Sequence, residues 1–137
     1  MRRVLDVRDL RVSFPAAGGP RFHPVDGVSF SLDRGETLAL VGESGCGKSL
    51  TSLALLRLVP PPGRVDPGSV IRVGDTDVLA LEGEALRRIR GRRIGMIFQD
   101  PMTSLNPVFS IESQMVDALE AHNKQLGRNE IRQRTIH

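Results

Sequence analysis

The chain has 137 residues, inside the usual range for one domain, so two independent cores are not expected. Apolar residues at 39% and charged residues at 26% describe a soluble globular protein and exclude a disordered or collagen-like chain. The net charge of +3 is modest, and with neither Trp nor Tyr to stack on bases no nucleic-acid partner is expected.

The first residues carry Arg2 and Arg3 without a following apolar stretch, so they do not form a secretory signal. Residues 2–14 alternate like a strand, with Val4, Asp6 and Arg8 on one face and Leu5 and Val7 on the other. A Gly/Pro-rich loop over 15–20 leads to a second strand over 22–32, and residues 33–36 form a turn. Residues 37–41 are a short continuous apolar run, the pattern of a strand buried on both faces in a parallel sheet. A glycine-rich segment follows, and residues 50–58 then read as a helix packed against the sheet and ended by the prolines at 60–62. Asp66, Pro67 and Gly68 signal a turn into a strand over 70–73. Residues 84–90 predict a short helix with Glu84 in its first turn, arginines in its last and Gly91 just beyond. Residues 94–98 read as another buried strand. Ser110 is placed to cap a helix with Ile111, Met115, Ala118 and Leu119 on one face, and a further helix begins near Asn129.

Strands alternating with helices predict an α/β fold whose N-terminal portion is mostly antiparallel. No apolar run approaches the roughly 20 residues that span a bilayer, so the chain is expected in the cytoplasm unless a partner recruits it to a surface. The single Cys46 rules out an intramolecular disulfide and agrees with a reducing compartment. His23, His122 and His137 show no metal-ligand spacing and receive no role. The arginines at 87, 88, 90, 92 and 93 read first as a solvated, dipole-balancing helix end, and second as a patch for nucleic acid or anionic lipid.

Gly42-Glu43-Ser44-Gly45-Cys46-Gly47-Lys48-Ser49 matches the phosphate-binding loop G-x-x-x-x-G-K-[ST] in full. The glycines let the backbone curl so that several N–H groups converge on phosphate oxygens. Lys48 supplies a point charge for the β- and γ-phosphates of ATP. The Ser49 hydroxyl is placed to ligate Mg²⁺, and the helix beginning there adds its positive end. The bland alternative is a chance match in a glycine-rich turn, which the expected strand-loop-helix context disfavours. For Cys46 the choice lies between a redox thiol and an inert small filler whose backbone does the binding.

Three further stretches narrow the class. Residues 28–36 lead into the loop, residues 96–101 lie downstream, and residues 102–107 follow them. Together with the loop they resemble the ATP-binding subunits of ABC transporters. The run Phe98-Gln99-Asp100-Pro101-Met102-Thr103-Ser104-Leu105-Asn106-Pro107 resembles the oligopeptide/dipeptide importer branch, which includes nickel and glutathione importers. The resemblance covers nearly the whole chain. It implies a P-loop NTPase domain, here as an N-terminal antiparallel β portion plus the start of a RecA-like core. It implies ATP and Mg²⁺ as cofactors, and it makes Gln99 the glutamine that contacts Mg²⁺ and the attacking water. By the same resemblance the loop from Gln99 to Ser110 faces transmembrane permease subunits, and a second ATP-binding subunit completes a dimer peripheral to the cytoplasmic face of the membrane. Phe14 falls where the family places an adenine-stacking aromatic, and the alternative is an ordinary strand residue. Phe22 is a weaker substitute for that job. Leu50 departs from the commoner hydroxyl residue after the motif, so one α-phosphate contact is expected to be lost.

Family members also carry an LSGGQ-type signature, a Walker B strand ending in Asp-Glu and a switch histidine, none of which occurs in these 137 residues. Residues 78–82 mimic a Walker B strand but precede Gln99 and carry one acid, so they read as a strand end leading into the Arg-rich helix. The chain is therefore expected to be the N-terminal part of an ABC ATP-binding domain that binds MgATP with negligible turnover. Two other readings stay open: a small P-loop kinase using Asp100 at the end of the 94–98 strand, and a non-catalytic nucleotide-binding or interaction module.

Overall fold

A computed structural model describes residues 3–100 and 105–136, which fall into two compact units, Met1–Ile89 and Arg90–His137. The expected residues 101–104 of the importer-like run lie outside the described residues.

In the first unit the chain opens with two long strands, β1 (Arg3–Ala16) and β2 (Gly19–Asp33). The loop expected over 15–20 contracts to a tight turn at Ala17 and Gly18, where Gly18 adopts φ +70° at no steric cost. The next element is the helix α1 (Lys48–Leu55), followed by β3 (Arg64–Val65), β4 (Val70–Val73), β5 (Thr76–Asp77) and the helix α2 (Gly83–Ile89). The sheet order is β2-β1-β4-β5, with β3 also pairing β1, and every pairing is antiparallel. β1 is thus the central strand, and its side chains Val7, Leu10 and Val12 are fully buried with Val25, Ile71, Val73 and Val78. Helix α1 packs on β1 and β2 through Thr51 and Ala54. It ends before the prolines. The Arg57 N–H donates to the Ala54 carbonyl and the Leu58 N–H to that of Leu53, with Arg57 at φ +52°, which is a Schellman closure built without glycine.

The turn expected over 33–36 is present, closed by the Glu36 N–H donating to the Asp33 carbonyl while the Glu36 carboxylate accepts from the Asp33 N–H. The two buried strands expected over 37–41 and 94–98 are not formed. Residues 37–41 have no strand partner among the described residues, and Leu38, Leu40 and Val41 are exposed. Residues 94–98 make only an isolated bridge, Arg90 to Ile94, and Ile97 is 97% exposed. A strand buried on both faces of a parallel sheet needs a neighbour along each edge to satisfy its backbone, so an apolar run by itself does not make one. Asp100 accordingly does not stand at the end of a strand, and the kinase reading loses its placed acid.

The second unit packs α3 (Ile111–His122) on α4 (Arg128–Ile136), burying Val116 and Ile131. Ser110 caps α3, accepting the Ser113 N–H at 3.1 Å. The face that packs carries Val116, while Ile111 and Met115 of the expected apolar face are exposed at 64% and 48%.

One polar clasp ties the strands together on the side of β1 away from Val12. Ser13, fully buried, donates its hydroxyl to Asp66 at 2.6 Å and accepts from the Arg21 guanidinium at 2.7 Å. Asp66 also accepts from Arg64 and pairs with His23, each at 3.0 Å. The Ser13 hydroxyl, then Arg64 and His23, hold the Asp66 carboxyl below its ordinary value, against the opposing effect of burial. Because the folded value is depressed, this contribution to stability is present above the unfolded carboxylate value and is lost as the pH falls through the folded one. Replacing Asp66 with Ala is expected to cost about 1–3 kcal/mol by stranding the buried Ser13 hydroxyl. Thermal melts of Asp66→Asn against wild type should show a flatter decline of stability below about pH 4 in the variant.

Candidate nucleotide-binding site

The loop from Gly42 to Ser49 takes its shape from three glycines and one close approach. Gly45 and Gly47 sit at φ +82° and +94°, a region that disfavours any residue with a side chain. At Gly47 a Cβ would lie 2.3 Å from the Pro24 carbonyl oxygen and 3.2 Å from Val25 Cγ2. The loop therefore rests its backbone directly on β2, and only glycine allows it. At Gly42 a Cβ would meet the Cys46 sulfur at 2.6 Å, so the thiol fills the space over Gly42 and curls the loop on itself.

Helix α1 starts from Gly47, which as N-cap has no side chain to bond the first N–H groups, and its first turn holds no acidic residue. The first-turn N–H groups have no intrahelical partner, and the helix dipole adds positive potential there. This uncapped, acid-free end suits an anion. Thr51 fixes the start of the helix, donating both its N–H (2.8 Å) and its hydroxyl (3.0 Å) to the Gly47 carbonyl. The Lys48 ammonium lies across the mouth of the loop, donating to the carbonyls of Gly42 at 2.7 Å and Glu43 at 2.6 Å and to the Cys46 sulfur at 3.3 Å. Ser49 and Ser44 are exposed beside it. The residues present thus fit the triphosphate of a nucleotide, with lysine, serine hydroxyl and free N–H groups gathered at one point.

Phe14 lies in the same unit, half-buried on β1 directly opposite Phe22 of β2. Its ring is packed on the backbone of Gly63, where a Cβ would come within 2.4 Å of the ring. Gln99 belongs to the second unit and is exposed at a bend. Two contacts escaped the sequence reading, the approach of Pro24 to Gly47 and of Gly63 to Phe14. No local pattern carries them, because each joins segments distant along the chain. Among the described residues no cluster of three His, Cys, Asp or Glu side chains could hold a metal by itself.

An α/β unit with a glycine loop seated at an uncapped helix end defines a P-loop NTPase. The profile of the ABC transporter family matches residues 25–137, and the chain belongs to that family. It is 48% identical over 123 residues to the oligopeptide transport ATP-binding protein OppD of Bacillus subtilis (strain 168), covering 89% of this chain and 34% of that protein. Against the peptidoglycan transport ATP-binding protein YejF of Agrobacterium fabrum it is 50% identical over 133 residues, 97% of this chain and 24% of that protein. The glutathione import ATP-binding protein GsiA of Pectobacterium atrosepticum is 48% identical over 128 residues, 90% of this chain and 20% of that protein. The chain thus spans about a third of these relatives' length or less.

The contact at Gly47 yields a direct test. Gly47→Ala meets both an unfavourable φ and the Pro24 carbonyl, so a loss of about 2 kcal/mol or more is expected in chemical denaturation, together with loss of nucleotide binding.

Proposed function

We propose that this chain provides the phosphate-binding part of the ATP site of an ABC importer for peptides or similar small solutes, as the N-terminal part of its ATP-binding domain. The observation that carries the proposal is the uncapped, acid-free start of α1 beneath a loop pinned to β2, with Lys48 poised at its mouth. Lys48 exchanges the carbonyls of Gly42 and Glu43 for β- and γ-phosphate oxygens. The backbone N–H groups of Gly45, Gly47 and Lys48 would line the cradle, Glu43, Ser44 and Cys46 (whose N–H donates to the Glu43 carbonyl) would complete it, and the Ser49 hydroxyl would serve as a metal ligand. Mg²⁺, when bound, neutralises charge on the phosphate oxygens, and Ser49 and Gln99 are the residues that would hold it. Peptide-type transport is supported by what the relatives are named for. A peripheral place at the cytoplasmic face of the membrane is supported by the same relatives, and no helix among the described residues is long and apolar enough to cross a membrane.

The reading gives the loop from Gln99 to Ser110 to the permease subunits and a second ATP-binding subunit to the dimer. Leu105, Val108 and Phe109 are 51%, 83% and 58% exposed, which supports an apolar docking loop. Val108→Asp with Phe109→Asp is expected to abolish co-purification with the permease subunits while MgATP binding stays unchanged.

These 137 residues contain no signature motif, no Walker B acid pair and no switch histidine, and phosphoryl transfer depends on such positioning and charge stabilisation. The chain by itself therefore binds MgATP and turns it over negligibly. Calorimetric titration is expected to show MgATP binding that weakens at least about tenfold in Lys48→Ala, as removal of a charged hydrogen-bond donor requires. Multiple-turnover phosphate release that disappears in the same variant would refute the absence of turnover.

A further inference from the structure

Resting on the nucleotide reading above, we infer that His23 is a positioning residue for the phosphate loop. Through Asp66 it holds the Pro24 carbonyl at the place where Gly47 rests.

The inference starts from the strand register. Val12 pairs with Val25 and Phe14 with Phe22, so Ser13 alone on β1 stands opposite two residues of β2, His23 and Pro24. Such a β-bulge disrupts the ladder locally, and Pro24 has no N–H to give to it. Backbone pairing therefore does not by itself fix the Pro24 carbonyl, whose oxygen a Cβ at Gly47 would meet at 2.3 Å. The side chain of the preceding residue supplies the missing hold. His23 Nε2 lies 3.0 Å from Asp66 Oδ2, and against a carboxylate, which only accepts, it is the donor. The proline ring locks its own φ, so the placing of His23 reaches the Pro24 carbonyl with few soft dihedrals between.

Asp66 is a firm anchor for this tether. Its N–H donates to the Arg11 carbonyl at 2.9 Å. Its Oδ1 accepts from the buried Ser13 hydroxyl at 2.6 Å and from Arg64 Nε at 3.0 Å. Arg11 and Ser13 both belong to β1, the central strand. A continuous path thus runs from β1 through Asp66, His23 and Pro24 to Gly47. It continues into α1, because the Gly47 carbonyl receives the Thr51 N–H and hydroxyl. Displacing Pro24 would move the N–H groups of Gly47 and Lys48 off the point where phosphate oxygens are held. His23 itself is exposed, so its removal strands no buried group and its effect falls on the loop.

The test titrates the 137-residue chain and its variants with MgATP and with magnesium tripolyphosphate, which lacks base and ribose, at a temperature where circular dichroism shows each folded. His23→Leu removes the donor, and His23→Asn offers an amide too short to reach Asp66. Each should weaken both ligands about fivefold, the size of one hydrogen bond's net contribution. His23→Gln, whose amide nitrogen can stand where Nε2 stands, should bind within about twofold of wild type. Asp26→Asn, which loosens the exposed pair with Arg11 on the same strand, should leave both affinities unchanged. A clasp that only stabilised the fold would lower the Tm without changing the affinity of the folded chain. Wild-type affinity in either folded loss variant, an equal loss in His23→Gln, or the same loss in Asp26→Asn overturns the assignment, while binding by the wild-type chain leaves the phosphate site standing. Failure of the wild-type chain to bind either ligand overturns the nucleotide reading and this inference with it.

Discussion

The contact between Gly47 and β2 is the constraint on which the rest of the first unit depends. With no Cβ at this position, the backbone of the loop comes within touching distance of the Pro24 carbonyl and Val25. That approach sets where helix α1 begins, because the Gly47 carbonyl accepts both the N–H and the hydroxyl of the buried Thr51. It also fixes the direction of the helix dipole, whose positive end opens beside Lys48. A phosphate cradle made of backbone groups is only as accurate as the support beneath it, and here the support is a long strand paired through most of its length with β1.

The two faces of the β1–β2 ribbon carry different chemistry, and the β-bulge in β2 sorts residues between them. On one side Ser13, Arg21, His23, Arg64 and Asp66 form a hydrogen-bonded clasp that fastens β3 and the turn after it to the ribbon. Val12 pairs with Val25 and Phe14 with Phe22, and of these Val25 stands against Gly47 of the phosphate loop while Phe14 packs on Gly63. The clasp satisfies the one buried hydroxyl on the central strand, and Pro24 and Val25 of β2 support the loop at Gly47. Rigidity and ligand access are thus divided between opposite surfaces of the same two strands.

Apolar side chains left in solvent mark where this chain does not complete its own packing. Leu38, Leu40 and Val41 lead directly into the phosphate loop, and Ile97 and Phe98 precede Gln99. Their residue types suit a strand buried on both faces, yet nothing among the described residues pairs with the first set and only a single bridge touches the second. The chain also spans a third or less of the length of the relatives it matches. Hydrophobic pattern expresses a preference for burial, and by itself it does not supply the neighbouring strands that burial requires.

The sequence by itself determined the elements whose signals are local. The alternation of β1, the Pro67-Gly68 turn, the dipole-matched charges of α2, the Ser110 cap and the eight-residue phosphate loop each follow from residues a few positions apart. Family membership was legible for the same reason, since the loop and the residues around Gln99 are contiguous strings. Where the sequence misled, the deciding partner was remote: the 94–98 and 37–41 runs lacked neighbours, and α3 buried Val116 in place of Ile111 and Met115 because α4 packs on that side. Only the tertiary structure showed that Gly47 rests on Pro24, that Gly63 holds Phe14, and that a bulge in β2 shifts the register between Val25 and Phe22. Each of these is a contact between segments far apart in the chain or a one-residue change of register, and neither leaves a mark in composition or periodicity.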